Sequence, residues 1–211
     1  TYCTVDASVT ENFNEKETAK VEGFELGIQK YADFLPAPFD GFGVDFNYTY
    51  IDSKQPGALA FDMHGAAITG LPVTGLSKNT INISGMYDKG PFSARVAYNW
   101  RSDFLVSTAA WQTSGIYNNV ENINFGSTAQ MGTTTTFALP VYQYAMGTLD
   151  ANLSYNITSN ISWTIEASNL THSVTRLYMD EGRTDDGAKR LVNRSWYTAD
   201  TRYTMQLRVK L

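Results

Sequence analysis

Residues 92–101 read Phe-Ser-Ala-Arg-Val-Ala-Tyr-Asn-Trp-Arg, with an apolar side chain at every even position and mainly polar or small ones between them. A period of two places the two sets on opposite faces of a β-strand. The same alternation recurs in six further stretches: 24–29, 43–51, 80–87, 149–157, 161–166 and 203–211. Residues 1–10 are a weaker eighth candidate. The sequence therefore predicts an all-β protein of seven or eight antiparallel strands.

Composition excludes several classes of protein. The 211 residues are 43% hydrophobic and 18% charged, which is too apolar for a disordered chain, and no stretch is apolar enough for a transmembrane helix. A net charge of −5 disfavours nucleic acid as a partner. The single cysteine and two histidines (Cys3, His64 and His172) have no metal-ligand spacing. Because no nucleophile–base pair or phosphate loop is present either, we predict no enzyme activity, no cofactor and no metal.

Strand length and aromatic placement favour a membrane barrel over a soluble sandwich. The predicted strands have about ten or more residues, which is the length that crosses a bilayer at a tilt. Aromatic side chains of the apolar face gather near the strand ends, as expected where lipid meets water. One predicted girdle contains Tyr48, Tyr50, Tyr98 and Trp100, and the opposite one contains Tyr87, Phe92, Tyr155 and Trp163.

The connections between strands alternate in length. Residues 32–41, 88–91 and 158–160 form short turns, whereas residues 55–75, 107–143 and 173–199 are long polar segments that we predict to be loops without regular structure. Outer-membrane barrels have short periplasmic turns and long extracellular loops. The sequence thus predicts a transmembrane, antiparallel, up-and-down β-barrel with the long segments outside the cell.

Residues 21–53 read VEGFELGIQKYADFLPAPFDGFGVDFNYTYIDS. The strand at 23–26, the Phe-Leu-Pro turn at 34–36 and the Asn-Tyr-Thr-Tyr strand at 47–50 resemble, in order and spacing, TonB-dependent outer-membrane receptors shortly before their C-terminus. Later motifs of the same receptors are similar to Leu76-Ser77-Lys78, residues 92–102 and Asn169-Leu170-Thr171. The similarity is greatest to a proteobacterial branch often linked to carbohydrate uptake.

This resemblance implies a domain and a function. Residues 1–211 would be the C-terminal part of a 22-stranded barrel, whose plug domain, TonB box and N-terminal strands are not in this sequence. The receptor would sit in the bacterial outer membrane and bind a scarce carbohydrate or siderophore-type nutrient at its extracellular loops. It would pass that nutrient through the plugged barrel in transport energised by TonB. The implied partners are outer-membrane lipid and lipopolysaccharide, the TonB complex, a small-molecule nutrient and the barrel-assembly machinery.

Two sets of residues are candidates for function. In the long segments, aromatic faces suit sugar rings or aromatic ligands and guanidinium groups suit anions. Packing of the loops on each other or on the plug is the more common role of such aromatic residues, and a place in a solvated loop is the more common role of such charged ones. The loop candidates are Trp111, Tyr117, Phe125, Arg176, Arg194, Trp196 and Tyr197. Polar residues of the wall are expected to face the lumen and to contact water or the plug. The lumen candidates are Asp45, Asn47, Arg95, Asn99, Arg101 and Glu166.

Two other architectures remain open at the level of sequence. A complete eight-stranded outer-membrane barrel, with a structural or adhesive role, would close by pairing residues 1–10 with residues 201–211. A soluble β-sandwich lectin would instead bury the aromatic faces of its strands.

Overall fold

A computed structural model describes residues 18–62, 66–108, 112–116, 134–183 and 189–210. These residues form fifteen strands and a short 3-10 helix at Phe39–Gly41, and they contain no helix long and apolar enough to cross a membrane. The strands are β1 Lys20–Tyr31, β2 Phe42–Lys54, β3 Ala58–Phe61, β4 Ala67–Thr69, β5 Asn79–Lys89, β6 Phe92–Arg101, β7 Phe104–Ser107, β8 Gln112–Ile116, β9 Thr134–Ala138, β10 Val141–Gln143, β11 Met146–Asn156, β12 Ile161–Ser168, β13 Val174–Arg183, β14 Lys189–Thr198 and β15 Arg202–Val209.

Seven long strands form one antiparallel sheet, which we call the wall, in the order β1-β2-β5-β6-β11-β12-β15. The sequence prediction of these seven strands is confirmed. The weaker candidate at residues 1–10 lies outside the described residues. The prediction of ten or more residues per strand is wrong for β12 and β15, which have eight each. β12 ends early because Asn169 takes the left-handed conformation (φ 55°), which breaks an extended strand.

The register of the wall places its apolar residues on one face. Phe46 lies opposite Ile83, which lies opposite Tyr98 on the next strand, and equivalent apolar rows continue to Met205 on β15. This face is uncovered by any other described part of the chain: Phe24 is 59% exposed and Leu207 is 62% exposed. A soluble sandwich would bury such a face, so the wall has the surface of a membrane barrel. The described strands form an open segment of that barrel, with β1 and β15 at its two edges.

Aromatic side chains lie at both ends of the apolar face. Toward the short turns, the rings of Phe92 and Tyr155 are 4.7 Å apart, and Tyr155 is paired with Trp163. Toward the long connections, Phe24 stacks on Tyr50 at 5.6 Å. The two aromatic groups are therefore separated along the strands in the way that the sequence predicts.

The short turns pack against each other at one end of the wall. Gly41 is buried, and a Cβ there would lie 2.9 Å from the carbonyl oxygen of Asp88 in the neighbouring turn. Lys89 of that turn forms an ion pair with Asp40, and Asp88 accepts a hydrogen bond of 3.3 Å from the Tyr31 hydroxyl. Glycine is thus required at position 41 by the close approach of two turns.

The long connections contain regular structure, so the prediction of unstructured loops at 55–75, 107–143 and 173–199 is wrong. β7, β10, β13 and β14 form an outer sheet in the order β14-β13-β10-β7. This order repeats that of β15, β12, β11 and β6, the wall strands that each outer strand continues after a short interruption. The outer sheet is therefore an extension of the wall, because backbone groups that leave the wall still need hydrogen-bond partners.

A second small sheet, in the order β4-β3-β9-β8, joins the connection after β2 to the connection after β6. The buried apolar core lies among these outer elements rather than along the wall. Ala60 and Leu105 are fully buried, Leu71 is nearly so, and Ile68 and Tyr142 pack against them. This core packs the second small sheet against the outer sheet.

Candidate ligand-binding site

A cavity of about 640 Å³ opens where the outer sheet meets the wall. It lies beside the start of β11 and the base of the β13–β14 hairpin. Its lining consists of Tyr144, Ala145, Met146, Gly147, Ser173, Val174, Arg176, Asn193 and Trp196. The volume lies within the range of small-molecule binding sites, about 300–1,000 Å³.

Three lining residues stand side by side across neighbouring chain segments. The backbone N–H of Tyr144 donates to the carbonyl oxygen of Arg176 at 2.9 Å, and Arg176 is the direct cross-strand partner of Trp196. Directly opposed residues on paired strands point to the same face. The side chain of Arg176 therefore shares one face of the sheet with a phenol and an indole on the two neighbouring segments.

The tyrosine beside Arg176 belongs to a cluster of three tyrosines. The Tyr178 ring contacts those of Tyr144 and Tyr142, at centroid distances of 4.3 and 5.3 Å. The Tyr178 hydroxyl donates a hydrogen bond of 3.2 Å to Asp103. Burial, followed by the nearby charges of Asp180 and Asp103, raises the pKa of Tyr142 to about 12, and burial with Asp103 also raises the pKa of Tyr178. Tyr142 and Tyr178 therefore stay neutral at physiological pH.

The first two residues of β11, Met146 and Gly147, line the cavity on the side of the wall. A Cβ at Gly147 would collide with the ring of Tyr98, so the tyrosine covers the glycine closely. The hydroxyl of Ser173 donates to the carbonyl oxygen of Gly147, and Thr175 contacts the sulfur of Met146 at 3.4 Å. These contacts join the base of the hairpin to the wall.

Asn169 holds the hairpin at its other attachment. Its side-chain amide donates to the carbonyl oxygen of Ala199 at 2.7 Å, and its side-chain oxygen accepts from the backbone N–H of Ser173 at 2.9 Å. Its own N–H donates to Asp150 at 2.8 Å, and its carbonyl oxygen accepts from the Thr201 hydroxyl at 2.8 Å. Asparagine combines these bonds with a tolerance for the left-handed conformation.

The structure brings together two of the loop candidates, Arg176 and Trp196. Tyr197 pairs with Thr175 and so lies on the opposite face of the hairpin. Arg194 has no cross-strand partner, because Tyr178 pairs with Asn193 and the preceding Leu177 pairs with Ser195, which makes Arg194 the extra residue of a β-bulge. The remaining candidates, Trp111, Tyr117 and Phe125, lie outside the described residues.

Sequence reasoning missed the other seven of the nine lining residues. Tyr144, Asn193 and Ser173 were not candidates, because the sequence does not show that strand pairing brings them together beside Arg176 and Trp196. The pair of tyrosines at 142 and 144, immediately before an alternating strand, was the available signal. It indicated an aromatic surface at the outer end of β11.

The six lumen candidates share the polar face of the wall. Asn47 donates to Glu25 at 2.5 Å, and Arg95 donates to Ser84 at 3.0 Å. In the register, Asn99 lies between Asn82 and Thr148. Asp45 is paired with Ser84, and Glu166 is paired with Asn152.

Arg101 differs from the other lumen candidates, since its guanidinium donates to Ser77 and to the carbonyl oxygen of Gly75, each at 2.7 Å. Arg101 thus anchors the segment that precedes β5.

The described residues include no group of three or more His, Cys, Asp or Glu placed to hold a metal ion.

The fold and the site together define a class of protein: a transmembrane β-barrel whose outer rim carries a cavity of ligand size. The family model for the TonB dependent receptor-like β-barrel matches residues 1–170. The chain belongs to this family of outer-membrane transport receptors from Gram-negative bacteria, as the sequence motifs predicted. No curated protein and no solved structure matches the chain significantly.

Proposed function

We propose that the chain forms the C-terminal wall and outer rim of a TonB-energised receptor that takes up a small-molecule nutrient across the outer membrane. The observation that carries this proposal is the exposed apolar face of the wall, which runs across all seven strands with aromatic residues at both ends. Such a face is stable against lipid and unfavourable in water. Family membership adds the transport role.

The open sheet supports a larger barrel around a plug. Among the described residues, the outer edges of β1 and β15 lack a strand partner. Unpaired backbone groups in lipid cost several kcal/mol each, so both edges require further strands. Receptors with a plugged lumen have about 22 strands. The polar face, with Arg95, Asn99 and Glu166, is the surface that we propose contacts the plug and water.

Localisation and energy coupling can be tested in the source bacterium. The receptor is expected in the outer-membrane fraction of a density gradient. A strain without it is expected to lose growth on one limiting nutrient of a carbon-source and iron-source panel, and a strain without TonB is expected to show the same loss. Recovery in the soluble fraction, or growth that is independent of TonB on every nutrient affected, would refute the proposal.

The size of the native polypeptide tests the complete eight-stranded barrel. That alternative predicts a denatured species near the 23.4 kDa of this chain. The proposal predicts a species several-fold heavier, recognised by an antibody raised against residues of the outer sheet. A membrane-inserted species with the mass of this chain alone would refute the transporter proposal and support the complete eight-stranded barrel.

A further inference from the structure

We propose that the cavity at the base of the β13–β14 hairpin binds a sugar-sized ring compound that carries one carboxylate. Arg176 would hold the carboxylate, and Trp196 would cover the face of the ring. This inference rests on the proposed transport function and names the chemistry of its ligand. The residues named above as lining the cavity all belong to the described part of the chain.

The charge of the lining favours an anion. Arg176 is the one charged residue among the described residues that line the cavity. Glu181 on β13 and Asp103 beside the tyrosine cluster already have partners, in Arg190 at 2.9 Å and in the Tyr178 hydroxyl. Arg176 itself has no ion pair among the described residues. An arginine that faces a cavity without a counterion is the usual receptor for a carboxylate, which it can bind through two parallel hydrogen bonds.

An exposed aromatic surface lies next to the arginine. Trp196 is 64% exposed although it is a large apolar residue, and it lies directly opposite Arg176 across the hairpin. Paired residues have Cβ atoms about 5 Å apart, so one small ring can contact the indole while its substituent reaches the guanidinium. Tyr144, fixed by its contact with Tyr178, closes the other side of the arginine.

The other polar groups of the lining are neutral. The Ser173 hydroxyl is already bonded to Gly147 and Thr171, whereas the exposed Asn193 supplies a side-chain amide to the lining. An amide both donates and accepts hydrogen bonds, which suits the hydroxyl groups of a sugar. The combination of one arginine, one exposed indole and this amide therefore favours an acidic sugar over a neutral sugar or an aromatic acid.

Binding to the intact receptor in detergent tests this inference with three probes. Glucuronate and glucose differ only in the carboxylate, and 4-hydroxybenzoate carries the carboxylate on an aromatic ring. We expect calorimetry to detect glucuronate, with affinity at least about tenfold above glucose, a ratio typical of one charge-assisted hydrogen-bonded contact. Glucuronate is also expected to bind more tightly than 4-hydroxybenzoate, which lacks the sugar hydroxyl groups that Asn193 can bond. Equal binding of glucose would overturn the role of charge. Tighter binding of 4-hydroxybenzoate would overturn the sugar assignment, and no binding of glucuronate would overturn the inference.

Matched variants locate the site. Arg176→Gln is expected to weaken glucuronate binding about 10- to 100-fold, and Trp196→Ala about 3- to 10-fold. The controls are Arg194→Gln and Tyr197→Ala, neighbours on the same strand that do not line the cavity, and both are expected to stay within about twofold of the unmodified receptor. Equal losses in variants and controls would overturn the assignment. All four positions are exposed, and the shift of the folded receptor on an unheated gel checks that each variant is folded.

The same variants separate this inference from the proposed function. A TonB-dependent nutrient whose uptake is unchanged by both Arg176→Gln and Trp196→Ala would overturn the cavity assignment and leave the transport proposal standing. Glucuronate binding in detergent without any TonB-dependent uptake would support the cavity and overturn the transport proposal.

Discussion

Replacing Asn169 is expected to loosen the attachment of the outer hairpin without disturbing the wall. The side chain of Asn169 holds Ala199 and Ser173 by hydrogen bonds of 2.7 and 2.9 Å, and its backbone has a φ of 55°. Two substitutions separate these contributions. Asn169→Gly removes the side-chain bonds and keeps the left-handed conformation accessible, whereas Asn169→Ala removes the bonds and adds strain.

The size of each effect follows from the contacts. A hydrogen bond within a protein contributes about 1 kcal/mol net, and less where water competes, so Asn169→Gly is expected to cost about 1–2 kcal/mol. An alanine in the left-handed region costs a further ~1–2 kcal/mol, which brings Asn169→Ala to about 2–4 kcal/mol. Since ~1.4 kcal/mol corresponds to a factor of ten, local opening would become about tenfold more frequent for glycine and roughly 30-fold or more for alanine.

Hydrogen exchange measured by mass spectrometry on the receptor in detergent gives these opening frequencies directly. Peptides that contain residues 169–173 and 199–201 are expected to exchange fastest in Asn169→Ala, more slowly in Asn169→Gly and slowest in the unmodified receptor. Peptides from the wall strands β5 and β6 are expected to keep their rates. Asn160→Ala in a short turn is the control, because Asn160 does not have a positive φ. Unchanged exchange in both Asn169 variants, or faster exchange in glycine than in alanine, would refute the reasoning.

Three further predictions concern the wall and the outer sheet. Gly41→Ala is expected to destabilise the folded barrel by about 1–3 kcal/mol, measured by urea unfolding in lipid vesicles, whereas Gly85→Ala, with nothing within 4 Å of its Cβ, is expected to have little effect. In the same assay, Ile83→Arg on the apolar face is expected to lower the free energy of unfolding by about 2–4 kcal/mol, and Asn82→Arg on the polar face is expected to lower it clearly less. Equal losses would show that the two faces do not face lipid and lumen. The fold raises the pKa of Tyr142 from 10.0 to about 12, so the stability that the neutral phenol contributes to the outer sheet is expected to be present below pH 10 and to be lost as the pH rises toward 12. The loss would be measured as faster proteolysis of the hairpin. A constant rate of proteolysis across that window would contradict the burial of the phenol.

The wall could be predicted from the sequence because its information is local. Each strand such as β6 carries its own alternation, and antiparallel neighbours joined by short turns need no long-range knowledge. The turn at 32–41 was equally readable from its proline and glycine residues. The ends of the strands were harder to predict, since β12 stops where the Asn169 backbone turns left-handed.

The outer sheet and the cavity could not be predicted in the same way. β3 meets β9 through the pair Phe61 and Ala138, and β10 meets β13, so that each contact joins segments far apart in the chain. Arg176 and Trp196 were identified singly from their chemistry. Their adjacency depends on the register of β13 and β14, and the contribution of Tyr144 depends on a third segment.

The continuation of the wall into the outer sheet has a consequence for the reach of the receptor. β13 and β14 have ten residues each, which at a rise of about 3.3 Å per residue corresponds to roughly 33 Å along the strand. That length is close to the ~30 Å thickness of a bilayer's hydrocarbon core. In an outer membrane, the β13–β14 hairpin alone would therefore extend beyond the lipid, because β7 and β10 of the same sheet have only four and three residues. A solute would meet this one-sided projection before the rest of the rim.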